Sequence, residues 1–215
     1  MPAETIILVH GLWMTGIEMT MLRHRLQKDY GFNCVQFSYH SVTGEIHHHV
    51  ERLRELAQQQ QCERLHFIGH SLGGVITYKV LESTNDLIGG RAVFLGSPMQ
   101  GSTAVDAMSR WTLGRVAIGS AVCKELMTTE PRHWDGRRDI GIIAGSVEMG
   151  FGRLFSDKLV SDSDGTVLIA ETQLNGAKDN IVLPVTHTSM VFSPIVTTQI
   201  VNFLRDGKFN HSNVA

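Results

Sequence analysis

Apolar residues along the chain fall into six short runs that have the length of β-strands. The runs cover residues 5–10, 33–38, 64–68, 91–97, 139–145 and 180–185. The first, Thr5-Ile-Ile-Leu-Val-His10, is continuous and rich in β-branched residues. Such a run is typical of a strand that is buried on both faces of a parallel sheet.

Between these runs, apolar residues recur at helical spacing. The segments with this spacing are residues 17–29, 46–61, 72–82 and 194–205. Strands that alternate with helices predict an α/β fold, with about six mostly parallel strands and helices on both faces. The ligand site of such a sheet lies at the carboxyl ends of its strands.

Residues 99–138 interrupt the alternation because they contain no strand pattern. Apolar side chains, among them Met99, Met108 and Trp111, are scattered there between glycines. We expect a cap-like insertion of short helices above the sheet. The chain has no internal repeat and no composition shift that marks a boundary, so residues 1–215 are predicted to form a single domain.

Composition excludes several classes of function. The 215 residues carry a formal net charge of −2, which gives no electrostatic reason to bind nucleic acid. The three cysteines are too sparse for a disulfide framework and suit a reducing compartment. No basic leader and no apolar run of about 18 residues is present, so we expect a cytoplasmic protein without an integral membrane segment. Composition does not indicate an oligomeric state.

A candidate nucleophile lies directly after the third predicted strand. Residues 69–73 read Gly-His-Ser-Leu-Gly, and a predicted helix follows them. A Gly-x-Ser-x-Gly sequence between a strand and a helix forms a tight turn that exposes the serine hydroxyl. Ser71 is therefore the candidate nucleophile.

A serine hydroxyl attacks efficiently only when a base removes its proton, and a carboxylate usually orients that base. His187 follows the last predicted strand, where a loop reaches back over the sheet. Asp164 is the favoured carboxylate because Gly165 allows the turn to point it inward, and Asp162 is the alternative. We expect His10 and His70 to have structural roles.

Two backbone N–H groups are candidates for stabilising an oxyanion. The N–H of Leu72 follows the serine at a helix N-terminus, which favours negative charge. The loop after the first strand supplies the second N–H, from Leu12, and Gly11 allows its backbone to approach.

Apolar side chains near the predicted site suit an acyl group, because methionine adapts to irregular apolar shapes. Core packing is the alternative for each of them. The candidates for substrate binding are Trp13, Met14, Met99, Met108, Trp111 and Met190. The His47-His48-His49 run is not a metal site by this reasoning, because its side chains point about 100° apart on a helix. We expect a solvated helix face there.

Five motifs in order resemble those of an α/β-hydrolase, and are most similar to compact bacterial lipases and to esterases related to GPI-inositol deacylase. The motifs are Val9–Leu12, Gly69–Gly74, Leu95–Ser102, Ser163–Val167 and Val185–His187. The resemblance implies ester or thioester hydrolysis through an acyl-enzyme, without a cofactor. It also implies a triad of Ser71, Asp164 and His187, with Leu12 and Leu72 as oxyanion donors. The chain departs from the full fold in lacking two leading antiparallel strands and in having a modest insertion.

The sequence thus predicts a serine hydrolase that cleaves a small-molecule or lipid ester with an apolar acyl group. A thioesterase or an acyltransferase would use the same triad. A catalytically silent binding protein on the same scaffold is the alternative from another class. Labelling of Ser71 by a fluorophosphonate separates the silent protein from the enzymes.

Overall fold

A computed structural model of the chain describes residues 3–127, 131–149 and 162–213. Within these ranges six strands form one sheet, in which every pairing is parallel. The strands are β1 (Glu4–Val9), β2 (Asn33–Phe37), β3 (Arg64–His70), β4 (Arg91–Leu95), β5 (Asp139–Gly145) and β6 (Asp179–Leu183). The predicted α/β fold with a parallel sheet is confirmed.

Helices connect the strands and cover both faces of the sheet. They are α1 (Thr20–Lys28), α2 (Ile46–Gln58), α3 (Leu72–Ser83), α4 (Thr103–Ser109), α5 (Thr112–Ile118), α6 (Ser120–Leu126), α7 (Ile169–Thr172) and α8 (Pro194–Asp206). Short 3-10 helices cover Ile17–Met19, Ser189–Phe192 and His211–Asn213. No helix in the described ranges is both long enough and apolar enough to cross a membrane.

The apolar residues of β1 face two separate cores. Ile7 and Val9 pack with α2, α3 and the helices of the insertion, whereas Ile6 and Leu8 pack with α1 and α8. Successive side chains of a strand point to opposite faces, so a strand between two helical layers must be apolar at every position. This explains the continuous apolar run.

The insertion forms short helices, as its composition predicts. Helices α4, α5 and α6 lie within it, and residues 128–130 of the predicted range 99–138 are outside the described residues. Ser102 caps α4 by accepting a hydrogen bond from the N–H of Val105 at 3.3 Å. The sequence did not predict α7, because one helical turn is too short to show a periodicity.

The strand order is β2-β1-β3-β4-β5-β6. β2 is added on one side of β1, and β3 to β6 are added in turn on the other side. Ligands of open α/β sheets bind at such a switch point, beyond the carboxyl ends of the strands. The register pairs Val9 with Gly69, which brings the loops after β1 and β3 together. Gly11 and Ser71 are therefore neighbours at this edge of the sheet.

Candidate active site

Ser71 lies on the tight turn between β3 and α3. Its backbone angles, φ 53° and ψ −124°, are outside the regions that L-residues ordinarily occupy. A Cβ atom at Gly69 would lie 2.4 Å from the Cα of Gly74, and one at Gly73 would lie 2.3 Å from the carbonyl oxygen of Val9. The turn therefore requires glycine on both sides of the serine, which is the physical basis of the pentapeptide.

Asp164 and His187 form a short hydrogen-bonded pair. The Nδ1 of His187 lies 2.7 Å from the Oδ2 of Asp164, whose residue is only 1% exposed. The other carboxylate oxygen accepts hydrogen bonds from the N–H groups of Thr166 at 2.9 Å and Val167 at 2.8 Å. An ionised carboxylate only accepts, so the proton of the imidazole is on Nδ1 and Nε2 is free to accept one.

Asp164, rather than Asp162, is thus the carboxylate that contacts His187. A second bond joins the two loops, because the N–H of His187 donates to the carbonyl oxygen of Asp164 at 2.9 Å. Asp162 lies two residues earlier with a left-handed backbone, φ 52°, and its carbonyl oxygen accepts from Ile169.

Gly96, at the end of β4, makes room for this pair. A Cβ atom there would lie 2.9 Å from the Oδ2 of Asp164 and 3.1 Å from the Nδ1 of His187, and φ is 53°. Sequence reasoning gave Gly96 no role. The signal was a glycine near the end of the predicted strand 91–97, at the edge where the site was expected.

His70 supports the loop that carries His187. Its Nε2 lies 2.9 Å from the carbonyl oxygen of His187, which only accepts, so Nε2 carries the proton and donates. Burial lowers the pKa of His70 to about 3, so the ring is neutral near pH 7. The structural role expected for His70 is therefore to hold the backbone of His187 through a hydrogen bond.

The two candidate oxyanion donors lie beside Ser71. A Cβ atom at Gly11 would lie 3.0 Å from the Cβ of Ser71, so glycine allows the first loop to approach. Among the described residues, the N–H of Leu12 has no hydrogen-bond acceptor. Leu72 is the first residue of α3, where N–H groups have no partner within the helix.

Ser71 and His187 both line a cavity of about 150 Å³. Helices α4, α5 and α6 of the insertion form part of its wall. An apolar cavity of roughly this volume holds a benzene-sized group. Its apolar lining includes Leu12, Trp13, Met14, Val105, Met108, Ile118 and Leu126.

Three of the six side chains predicted to bind substrate line this cavity, namely Trp13, Met14 and Met108. Met99 and Met190 are fully buried in the two cores, outside the cavity lining. Trp111 is 72% exposed at the start of α5. Sequence reasoning did not assign Ile118 and Leu126 to the cavity, although both are apolar residues of the predicted insertion.

The histidine run at the start of α2 differs in part from the expected solvated face. His47 and His48 are exposed, whereas His49 is buried and packs against Tyr39 with ring centroids 4.8 Å apart. His49 follows the helical spacing of Ile46, Val50 and Leu53, which turns it toward the core. In the described ranges no three His, Cys, Asp or Glu residues are grouped closely enough to hold a metal ion.

Comparison with protein families matches residues 6–188 to the model of the alpha/beta hydrolase family. A lipase from Bacillus licheniformis in its mature form is similar, with a TM-score of 0.68 and 17% identity over 95% of this chain and 91% of that one. An esterase from Exiguobacterium antarcticum is similar with a TM-score of 0.61, and it is 12% identical over 96% of this chain and 94% of that one. The type II thioesterase BorB, from the borrelidin biosynthetic cluster, has a TM-score of 0.62, and it is 13% identical over 94% of this chain and 92% of that one. Comparison with curated proteins gives no match. At these identities, the solved structures share the fold with this chain.

Proposed function

The chain belongs to the alpha/beta hydrolase family, and we propose that it is a serine hydrolase that cleaves carboxylic esters through an acyl-enzyme intermediate. The observation that carries the proposal is the 2.7 Å contact between His187 and Asp164, next to a cavity that also contains Ser71. A nucleophile, a base and a group that orients the base are the parts that acyl transfer requires.

In the first step the hydroxyl oxygen of Ser71 attacks the carbonyl carbon of the ester. His187 accepts the hydroxyl proton on Nε2, and the buried Asp164 carboxylate stabilises the imidazolium that forms. The carbonyl π electrons move onto the oxygen, which becomes the oxyanion of the tetrahedral intermediate. The bond between Nδ1 and Asp164 keeps the ring in the orientation that this transfer needs.

The N–H groups of Leu12 and Leu72 stabilise that oxyanion. Leu72 starts α3, so the positive end of the helix dipole adds to its hydrogen bond. One preorganised donor of this kind typically contributes about 3 kcal/mol to the transition state, on the order of a hundredfold in rate.

Collapse of the intermediate then breaks the bond to the leaving alcohol, which takes the proton from His187. Water attacks the acyl-enzyme, and His187 removes its proton as general base. The second intermediate collapses to release the carboxylic acid, and the proton returns to Ser71. The cycle consumes one water and restores every residue of the site.

The size and lining of the cavity support a preference for one kind of acyl group. Its volume of about 150 Å³ and its apolar lining suit a short apolar acyl chain. A cavity that holds a benzene-sized group has room for about six heavy atoms. We therefore expect esters of short fatty acids, up to about hexanoate, to be the preferred substrates.

A thioesterase or an acyltransferase is the second candidate, supported by the similarity in fold to a type II thioesterase. The acyl-enzyme is the same, and only the leaving group or the acceptor differs. Hexanoyl-CoA and p-nitrophenyl hexanoate, compared by kcat/KM with and without alcohol acceptors, separate these activities. Preference for the thioester by more than tenfold would favour the thioesterase.

Replacement of the nucleophile tests the function. We expect Ser71→Ala to abolish turnover of p-nitrophenyl butanoate and to preserve the fold, as judged by circular dichroism. Ser83→Ala removes a hydroxyl from the opposite end of the same helix, where it donates a hydrogen bond to the carbonyl oxygen of Val80 at 2.9 Å. This control should keep wild-type turnover, and retained turnover in Ser71→Ala would contradict the proposal.

A further inference from the structure

His10 is a buried histidine next to the oxyanion loop, and it takes no part in the proton transfers described above. We propose that His10 is a positioning residue, which holds the Gly11–Leu12 peptide so that the N–H of Leu12 points at the oxyanion. The proposal rests on the proposed function and adds a residue to its machinery.

The hydrogen bonds of His10 define which nitrogen carries the proton. The N–H of Tyr39 donates to Nε2 of His10 at 3.2 Å, and a backbone N–H cannot accept. Nε2 is therefore unprotonated, and Nδ1 carries the proton of the neutral ring. Nδ1 lies 2.9 Å from the carbonyl oxygen of Gly11 and donates to it.

This bond orients the Leu12 N–H through the peptide plane. The carbonyl of Gly11 and the N–H of Leu12 belong to one planar trans peptide, in which they point in opposite directions. His10 fixes the carbonyl on its own side, so the N–H is fixed on the other. Leu12 lines the cavity that contains Ser71, whereas His10 is fully buried behind the loop.

The imidazole is itself held rigidly. Its ring stacks on that of Tyr39, with centroids 4.3 Å apart and an interplanar angle of 14°. The hydroxyl of Tyr39 donates to the carbonyl oxygen of His10 at 2.8 Å. Burial lowers the pKa of His10, which keeps the ring neutral and preserves Nε2 as an acceptor.

The loop needs such a restraint because its next residue is strained. Trp13 adopts a left-handed backbone, φ 59°, which a bulky residue occupies only when its surroundings enforce it. The N–H of Trp13 donates to Ser41 at 2.9 Å, and its indole N–H donates to the carbonyl oxygen of Ala117 at 2.8 Å. The loop is thus anchored on both sides of Leu12, by His10 before it and by Trp13 after it.

Two variants of similar polarity separate the two hydrogen bonds of the ring. In His10→Asn the side-chain amide nitrogen takes the place of Nδ1 and keeps the donor to Gly11. In His10→Gln the amide oxygen reaches the place of Nε2 and keeps the acceptor for Tyr39, but the donor to Gly11 is lost. We expect kcat for p-nitrophenyl butanoate to fall roughly a hundredfold in His10→Gln and less than about tenfold in His10→Asn, with little change in KM.

A purely structural role would make different predictions, because both variants disturb packing. Equal kcat in two folded variants, or a loss that follows the melting temperature rather than the bond to Gly11, would overturn the proposal. The rate at which a fluorophosphonate labels Ser71 is the second readout, since the phosphonyl oxygen occupies the same oxyanion site.

Nitrogen-15 NMR of the wild-type ring provides a readout that requires neither a variant nor turnover. The proposal expects a proton on Nδ1 of His10, and a proton on Nε2 would overturn it even if esterase activity is established. A wild-type protein that neither turns over esters nor labels at Ser71 would instead contradict the proposed function, and with it this role of His10.

Discussion

Truncation of Met108 tests whether the cavity beside Ser71 sets the acyl-chain length. Met108 belongs to α4, is almost fully buried and lines the cavity. Met108→Ala removes the Cγ, Sδ and Cε atoms from the wall. If about 150 Å³ holds about six heavy atoms, the variant gains space for roughly three more.

Transfer free energies give the size of the effect. Each methylene that leaves water contributes about 0.8 kcal/mol, so kcat/KM should rise about fourfold per carbon while the cavity fills. For the wild-type enzyme we expect this rise to end near hexanoate. In Met108→Ala the maximum should move about three carbons further, and nonanoate should gain about 2.4 kcal/mol over wild type, roughly sixtyfold.

The assay is a series of p-nitrophenyl esters from acetate to palmitate, measured as kcat/KM. Met99→Ala is the matched control, because Met99 is also buried, with 0% exposure against 7% for Met108, and does not line the cavity. Both variants should lose about 2–5 kcal/mol of stability, but only Met108→Ala should change the preferred chain. An unchanged preference in folded Met108→Ala would refute the assignment of this cavity to the acyl group.

Three further predictions concern the residues around His187. Asp164→Asn keeps the shape of the carboxylate but not its charge, and kcat should fall by about 10⁴ in ester hydrolysis, because the imidazole loses its orientation and its counter-charge. Gly96→Ala places a Cβ 2.9 Å from Asp164 at a left-handed position, so kcat should fall at least tenfold in a protein that still unfolds cooperatively. The pKa of His70 is about 3 in the folded protein and 6.5 in the unfolded chain. Between these pH values the unfolded chain binds a proton at His70 and the folded protein does not. The free energy of unfolding should therefore decrease as the pH falls from 6.5 toward 3, by up to about 1.4 kcal/mol per pH unit. Urea denaturation at several pH values should show that the free energy of unfolding depends less steeply on pH in His70→Gln than in the wild type. An equal dependence in both proteins would contradict the lowered pKa of His70.

The four inner strands, β1, β3, β4 and β5, were predictable because they are buried on both faces, whereas the edge strands β2 and β6 are only partly buried. The run at 139–145 matches Asp139–Gly145, and the run at 5–10 differs from Glu4–Val9 by one residue at each end. The end of α2 was less predictable, because the predicted helix reaches residue 61 and the structure ends it at Gln58. Residues 59–61, at the end of the predicted helix, are polar and contribute no apolar side chain to the buried face of α2. The apolar pattern therefore does not define where this surface helix ends.

The relative placement of Ser71, Asp164 and His187 follows from the topology, because the carboxyl ends of parallel strands share one edge of the sheet. The cavity lining was less accessible to sequence reasoning. The helices α4 and α5 have only about two turns each, so their spacing does not show that Met108 faces inward while Trp111 is exposed. Packing of the whole insertion decides that orientation.

Contacts between distant parts of the chain were also not predictable. His70 and His187 are 117 residues apart, and nothing in either motif indicates the hydrogen bond between them. The bond from His10 to the next residue is local, yet the tautomer that it requires depends on the backbone N–H of Tyr39. The sequence locates such histidines, and the structure defines their tautomers.

Covalent labelling tests the central claim that Ser71 is an activated nucleophile. The native protein is treated with a fluorophosphonate, and the adduct is mapped by peptide mass spectrometry. We expect one adduct, on Ser71, and we expect it to form far more slowly in Asp164→Asn. No adduct on Ser71, or labelling at the same rate in both proteins, would contradict this claim.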